Sequence, residues 1–151
     1  KDDDRSHVKA SQALTILLDA NDKIYYFEGI PNYNDPHFLK ETSYGADGIR
    51  AILIRKNAFA VQQKKDLDQK KLLRKINDAQ YSKMLSDIKS AKQTPTVIIK
   101  ATDQANYKNL VDALDEMQIC SIGKYVIDVM KSSDKQLITN LKNGTAGQPQ
   151  Q

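Results

Sequence analysis

The side chains most able to do chemistry are few in this chain of 151 residues, and none stands in a catalytic arrangement. The two histidines, His7 and His37, lack partners at the spacing that a closed metal site requires. Gly45 and Gly48 fit neither a phosphate loop nor a dinucleotide fingerprint, because the lysine of the first and the glycine triplet of the second are missing. We therefore expect no enzyme, no cofactor and no metal site.

The other reactive groups are predicted to be structural. Cys120 is the single cysteine, so it cannot form a disulfide within the chain, and its flanks Ile119 and Ile122 favour a buried apolar environment. The adjacent acids Asp115 and Glu116 are expected on the solvent side of a helix, because such residues are rarely buried without a partner.

The basic balance of the chain is concentrated in one stretch. The net charge is +4, yet residues 64–92 hold nine basic and four acidic residues, which leaves −1 for the rest of the chain. A lysine-rich stretch with interspersed acids is typical of the solvated face of a helix. A basic adaptor that binds a polyanion is the alternative, although no aromatic cluster or paired Cys/His pattern indicates a nucleic-acid partner.

The first half of the chain predicts a hairpin, a loop and two helices. Residues 14–19 and 23–27 are rich in strand formers around Ala20, Asn21 and Asp22, which predicts a β-hairpin with Tyr25 and Tyr26 on opposite faces. A long loop then runs to Gly48. A helix with Asp47 in its first turn is predicted to reach about residue 62, and a second, amphipathic helix follows from a stripe at Leu72, Leu73, Ile76, Tyr81, Leu85 and Ile88.

The second half predicts a β-α-β unit. Residues 96–99 form a nearly continuous apolar run, which indicates a strand in the middle of the sheet that is buried on both faces. Residues 124–130 alternate as a strand does. Between them, helical spacing connects Tyr107, Leu110, Val111, Leu114 and Met117.

These elements predict an α+β fold, a small mixed β-sheet with helices packed on one face. Residues 1–142 are expected to form a single domain, and residues 143–151 a disordered tail rich in glycine, glutamine and proline. The edges of such a sheet can accept a strand from another chain, whereas the alternative is a last strand that only completes the core. The candidate partner-binding residues are Tyr125, Val126, Ile127, Asp128, Val129 and Met130.

Two segments resemble one family. Residues 96–130, TVIIKATDQANYKNLVDALDEMQICSIGKYVIDVM, look like the C-terminal half of the periplasmic domain of ExbD/TolR biopolymer-transport proteins. Residues 14–29, LTILLDANDKIYYFEG, are similar to the first hairpin of that domain, and Gly48, Ile49 and Arg50 stand where longer members begin a helix.

The resemblance implies a non-enzymatic role in energy transduction. It implies a single-pass protein of the bacterial inner membrane with this segment in the periplasm, where a homodimer works with ExbB-like and TonB-like proteins to couple proton motive force to outer-membrane transport. A TolR-like module of the cell envelope that contacts peptidoglycan is the alternative. A membrane anchor is expected upstream of Lys1, and the family's proton-linked aspartate belongs to that anchor rather than to the acids at residues 2–4.

Overall fold

A five-stranded mixed sheet lies at the centre of the computed structural model, which describes residues 12–150. The strand order is β3-β2-β1-β4-β5, so β3 and β5 are the two edges. Strand β1 pairs antiparallel with β2 and parallel with β4, β3 is antiparallel to β2, and β5 is parallel to β4. The strands are β1 (Ala13–Leu18), β2 (Ile24–Glu28), β3 (Lys40–Thr42), β4 (Thr96–Ala101) and β5 (Tyr125–Ile127).

Helices cover both faces of the sheet. Within residues 12–150 they are α1 (Ile49–Lys56), α2 (Ala58–Leu72), α3 (Asp78–Lys89), α4 (Tyr107–Ile119) and α5 (Ser132–Asn143). Helices α1 and α4 pack on the first face, and α5 packs on the second. In the part of the chain that the structure describes, no helix is both long enough and apolar enough to cross a membrane.

The predicted α+β class with a mixed sheet is confirmed, but the expectation of helices on one face only was wrong. Leu137 and Ile138 of α5 are buried against Leu17, Tyr25 and Phe27 on the second face of β1 and β2. Those three strand side chains are apolar, so this face also needs a cover, and α5 supplies it.

The predicted β-hairpin is confirmed. Asn21 and Asp22 both have positive φ, 59° and 58°, which is the backbone that a tight turn between antiparallel strands requires. Tyr25 and Tyr26 lie on opposite faces, as period-two alternation demands. Tyr25 is buried in the core of the second face, and Tyr26 is half-buried against the core of the first, so both contact a core.

The middle strand is β1, so the assignment of residues 96–99 to that position was wrong. All six residues of β1 are buried between β2 and β4. In β4, Val97 and Ile99 are buried on the first face, whereas Thr96 and Ile98 are only half-buried on the second. The difference follows from α5, whose buried Leu137 and Ile138 pack on side chains of β1 and β2.

The predicted helix through residue 62 is two helices in the structure. Asn57 interrupts it, because its buried side-chain amide donates hydrogen bonds to the carbonyls of Cys120 and Ser121, both at 2.9 Å. Asp47 precedes α1 instead of lying in its first turn. The second predicted helix begins at Asp78 rather than near residue 72. Helices α2 and α3 pack against each other as an antiparallel pair, and we call residues 58–89 the helical hairpin.

The C-terminal segment continues from α5. Gly144 ends the helix with a left-handed backbone, φ 70°. Beyond it, the Gly147 carbonyl accepts a hydrogen bond from Asn140 at 2.9 Å, and Gln148 donates one to Asn34 at 2.8 Å. The single domain at residues 1–142 and the disordered tail at 143–151 stay predictions. His7 and the acids at residues 2–4 lie outside the described residues, as does Gln151.

Candidate functional site

Exposed apolar side chains concentrate on and just after the edge strand β5. Of the eleven large hydrophobic side chains that are exposed within residues 12–150, four lie here: Tyr125 at 36%, Val126 at 51%, Ile127 at 56% and Val129 at 71%. An edge strand without charged side chains is open to pairing with another strand. The sheet therefore has an exposed apolar edge at β5.

The opposite edge, β3, is protected. Its three residues are the polar Lys40, Glu41 and Thr42, and Glu41 forms an ion pair with Lys23 at 2.8 Å. Charged residues on a short edge strand are a common defence against unwanted pairing. The contrast between the two edges indicates β5 as the side from which the sheet can be extended.

The hydrogen bonds to β4 show which backbone groups of β5 face outward. The Val97 N–H donates to the Lys124 carbonyl at 2.8 Å, and the Asp128 N–H donates to the Ile99 carbonyl at 2.9 Å. Backbone groups alternate in direction along a strand, so Val126 also faces β4. The N–H and carbonyl groups of Tyr125 and Ile127 point away from β4, and no strand among residues 12–150 pairs with them, so an added strand can bind them.

A cleft of about 300 Å³ lies beside this edge, between the end of β5 and α4. Apolar side chains from three elements form part of its wall, and Asp103, Asp128 and Lys135 add charge. Ile127 lies on the same face as Ile99, its register partner. Every second side chain of an added strand would point toward this cleft. Besides Asp103, Asp128 and Lys135, the cleft is lined by Ile99, Ala101, Thr102, Leu110, Ile127, Val129 and Met130.

Helix α4, which forms one wall of the cleft, is held by a partly buried ion pair, with Arg50 31% exposed and Glu116 6% exposed. The Arg50 guanidinium of α1 donates two hydrogen bonds to the Glu116 carboxylate, at 2.8 and 3.1 Å. Glu116 is buried, so the prediction that it lies on the solvent side was wrong, whereas Asp115 is exposed. The hydrogen bond to Glu116 raises the pKa of Arg50 above its already high ordinary value.

A second ion pair fixes the chain where it leaves β5. Lys100 of β4 and Asp134 of α5 are 2.9 Å apart, and their side chains are only 13% and 6% exposed. Asp134 also accepts the Lys131 N–H at 2.9 Å. The segment from Asp128 to Lys131 is thus fixed at one end to β4 and at the other to α5.

The six predicted partner-binding residues do not form one strand. Only Tyr125, Val126 and Ile127 pair with β4, and the Val129 N–H is occupied by the Asp128 carboxylate at 2.8 Å. Met130 turns toward the core of the second face and is half-buried. Binding by any of the six stays a prediction. The cleft beside them was missed, although its wall residue Leu110 was part of the helical stripe in the sequence.

The other side chains that could take part in chemistry do not form a site within residues 12–150. Within residues 12–150 no three His, Cys, Asp or Glu side chains are grouped so as to hold a metal ion. His37 is exposed in the loop before β3. Cys120 is fully buried, as predicted, and burial together with the nearby Glu116 charge raises the pKa of its thiol to about 11. Around β5, the arrangement offers backbone hydrogen bonds and apolar contact.

The fold and this edge define an α+β domain with helices on both faces and one edge open to strand addition. The model of the family described as biopolymer transport protein ExbD/TolR matches residues 1–132, so the chain belongs to the ExbD/TolR family. The resemblance seen in the sequence is therefore confirmed. Comparison with the curated proteins gave no match, and comparison with the solved structures gave none either.

Proposed function

We propose that this domain is the periplasmic part of an energy-transducing complex of the ExbB-ExbD-TonB type. In this proposal an anchor upstream of Lys1 holds it to the inner membrane, the domain dimerises, and it contacts a TonB-like protein to energise outer-membrane transport. Membership of a biopolymer-transport family supports the general role. The single observation that supports the contact is the apolar edge of β5, which no strand within residues 12–150 covers.

The proposed contact is β-strand addition. A strand from a second copy or from a TonB-like protein would hydrogen-bond with the outward groups of Tyr125 and Ile127. Main-chain bonds give such a complex its affinity, and pockets for alternate side chains give it specificity. Here Ile127 and the adjoining cleft would contact one face of the added strand, and Val126 would contact the other.

The test compares two substitutions at one position. Ile127→Pro removes an outward N–H and leaves the bonds of Lys124 and Asp128 to β4 in place, so we expect a folded domain with impaired pairing. Ile127→Ala keeps the N–H and removes most of the side chain, so it reports the apolar contribution alone. Val126→Pro should instead destabilise the fold, because its N–H faces β4.

Two measurements follow from each variant. Sedimentation equilibrium reports self-association, and NMR titration with a synthetic peptide from the periplasmic part of a TonB-like protein reports binding. We expect the proline variant to lose both, and the alanine variant to bind more weakly than the native chain. A folded proline variant that self-associates and binds the peptide with unchanged affinity would show that β5 is not the contact.

A further inference from the structure

The tip of the helical hairpin, residues 70–75 with the sequence KKLLRK, is a second exposed apolar feature far from β5 in the sequence. Leu72, the last residue of α2, is 75% exposed and Leu73, which caps that helix, is 60% exposed, although Leu67 of the same helix is buried. Helix α3, which returns from the tip, has no buried residue. The two leucines therefore have no core to contact within the described residues.

The leucines are flanked in the sequence by cations. Residues 69–77 contain Lys70, Lys71, Arg74 and Lys75 and no acidic residue. Lys71 pairs with Asp78 at 2.6 Å and lies over the Tyr81 ring. Among residues 12–150, no acidic group lies within 4.0 Å of the charged groups of the other three. The tip thus combines an apolar apex with free positive charge.

Arg74 occupies a backbone position where glycine is usual. The φ of Arg74 is 57°. The Arg74 N–H donates to the Lys71 carbonyl at 3.0 Å, and the Lys75 N–H donates to the Lys70 carbonyl at 2.9 Å. This is the helix ending in which a left-handed residue, most often glycine, closes the last turn. Arg74 therefore places a cation at the end of the helix in a backbone conformation that is strained for a residue with a side chain.

We propose that the hairpin tip docks on an anionic phospholipid bilayer. Exposed leucines next to lysine and arginine are the combination by which protein segments bind the membrane interface, since the apolar side chains enter the acyl boundary while the cations remain at the headgroups. Leu72 and Leu73 are 75% and 60% exposed, so their side chains can enter the acyl boundary without any rearrangement of the helices. The excess of free cations makes the occupant anionic. This docking is independent of strand addition at β5.

The test is vesicle flotation of the full chain. Binding is compared between phosphatidylcholine vesicles and vesicles in which about one quarter of the lipid is phosphatidylglycerol, at low and at high salt. We expect binding to the anionic vesicles that weakens with salt, and at least about tenfold weaker binding to phosphatidylcholine alone.

Paired variants separate the apolar from the charged contribution. Leu72→Ser with Leu73→Ser should weaken binding by on the order of tenfold, and Arg74→Gln with Lys75→Gln by about fivefold for each cation removed. The matched controls are Ile30→Ser with Ile54→Ser, which are exposed apolar side chains elsewhere, and Lys65→Gln with Lys92→Gln, which are exposed cations away from the tip. All these side chains are exposed, so we expect each variant to retain the fold, and circular dichroism checks this for each variant, including Ile54→Ser, whose side chain is 40% exposed.

Three results would each overturn the proposal. The native chain could fail to float with the anionic vesicles, the leucine variant could bind as the native chain does, or the control pairs could lose as much binding as the tip variants. Ile127→Pro serves as a further control, since it should float like the native chain. Failure of docking at the tip would leave the strand-addition proposal untouched, and the reverse also holds.

Discussion

Substitution of Asp134 tests how firmly α5 holds the segment that follows β5. Asp134→Ala leaves the Lys100 ammonium buried without its partner and removes the acceptor of the Lys131 N–H. Breaking a buried ion pair in this way costs about 3 to 5 kcal/mol. Lys100 keeps 13% exposure on a flexible stem, so we take about 3 kcal/mol for the pair and about 1 kcal/mol for the hydrogen bond at the helix start.

The expected total of about 4 kcal/mol corresponds to a fall in Tm of roughly 10 °C for a chain of this size. Thermal unfolding followed by circular dichroism and urea titration measure it. Asp134→Asn keeps an oxygen acceptor at the same place, so we expect it to lose about half as much. Replacing both partners, with Lys100→Met and Asp134→Leu, should recover most of the loss, because an apolar pair leaves no buried charge.

The reasoning fails if Asp134→Ala costs less than about 1 kcal/mol, since the pair would then contribute no more than an exposed one. It also fails if the double substitution is as destabilising as the single one. In that case the loss would come from packing around α5 rather than from an unpaired ammonium.

Three further outcomes are expected. Cys120 should resist a thiol reagent in the native protein at pH 8 and react at once in guanidinium, because it is buried and the pKa of its thiol is raised to about 11; rapid native reaction would contradict this. Burial raises the pKa of Asp19, but hydrogen bonds from Thr102 and Ala20 and the Lys142 charge outweigh it, so the folded-state pKa lies below the ordinary value of 3.8. The ionised Asp19 carboxylate therefore stabilises the fold above about pH 3.8, and this stabilisation is lost as the pH falls through the folded-state pKa. The Tm difference between native protein and Asp19→Asn should therefore shrink below about pH 4, and a constant difference would refute the linkage. Met117→Ala should cost about 2 to 5 kcal/mol and more than Leu114→Ala in urea titration, because Met117 is fully buried and Leu114 is half-buried; the reverse order would misplace the buried face of α4.

Features decided by local chemistry could be predicted from the sequence. Asn21 and Asp22 tolerate a left-handed backbone, so the position of the first turn follows from residue type alone. Helix α4 has both a regular apolar spacing and the Asn106–Asn109 capping pair, in which each side chain accepts from the other's backbone N–H. Such signals need no knowledge of the rest of the fold.

Features decided by distant partners could not be predicted in this way. The break at Asn57 depends on carbonyls more than sixty residues later, and the burial of Glu116 depends on Arg50, sixty-six residues earlier. Strand β3 has three polar residues and therefore shows no apolar alternation. Strand β5 shows alternation beyond its paired residues, because the chain leaves the sheet at Asp128 to enter α5.

In the candidate site, too, the sequence predicted the local element but not the features that depend on distant partners. The alternation at residues 124–130 indicated a strand, and the topology then placed β5 at an edge. Which N–H groups point outward depends on the register with β4, and the cleft depends on where α4 crosses the sheet. Neither can be obtained from one segment of sequence.

The parallel arrangement of β1, β4 and β5 has a mechanical consequence for the proposed contact. A partner strand joined to β5 and pulled along its axis would load the hydrogen bonds of the ladder in shear, so that they bear the force together. A pull perpendicular to the strand would open the same bonds one after another, as in unzipping. Because β5 lies beside β4 and β4 beside the fully buried β1, an axial load passes directly into the most deeply packed strand of the domain.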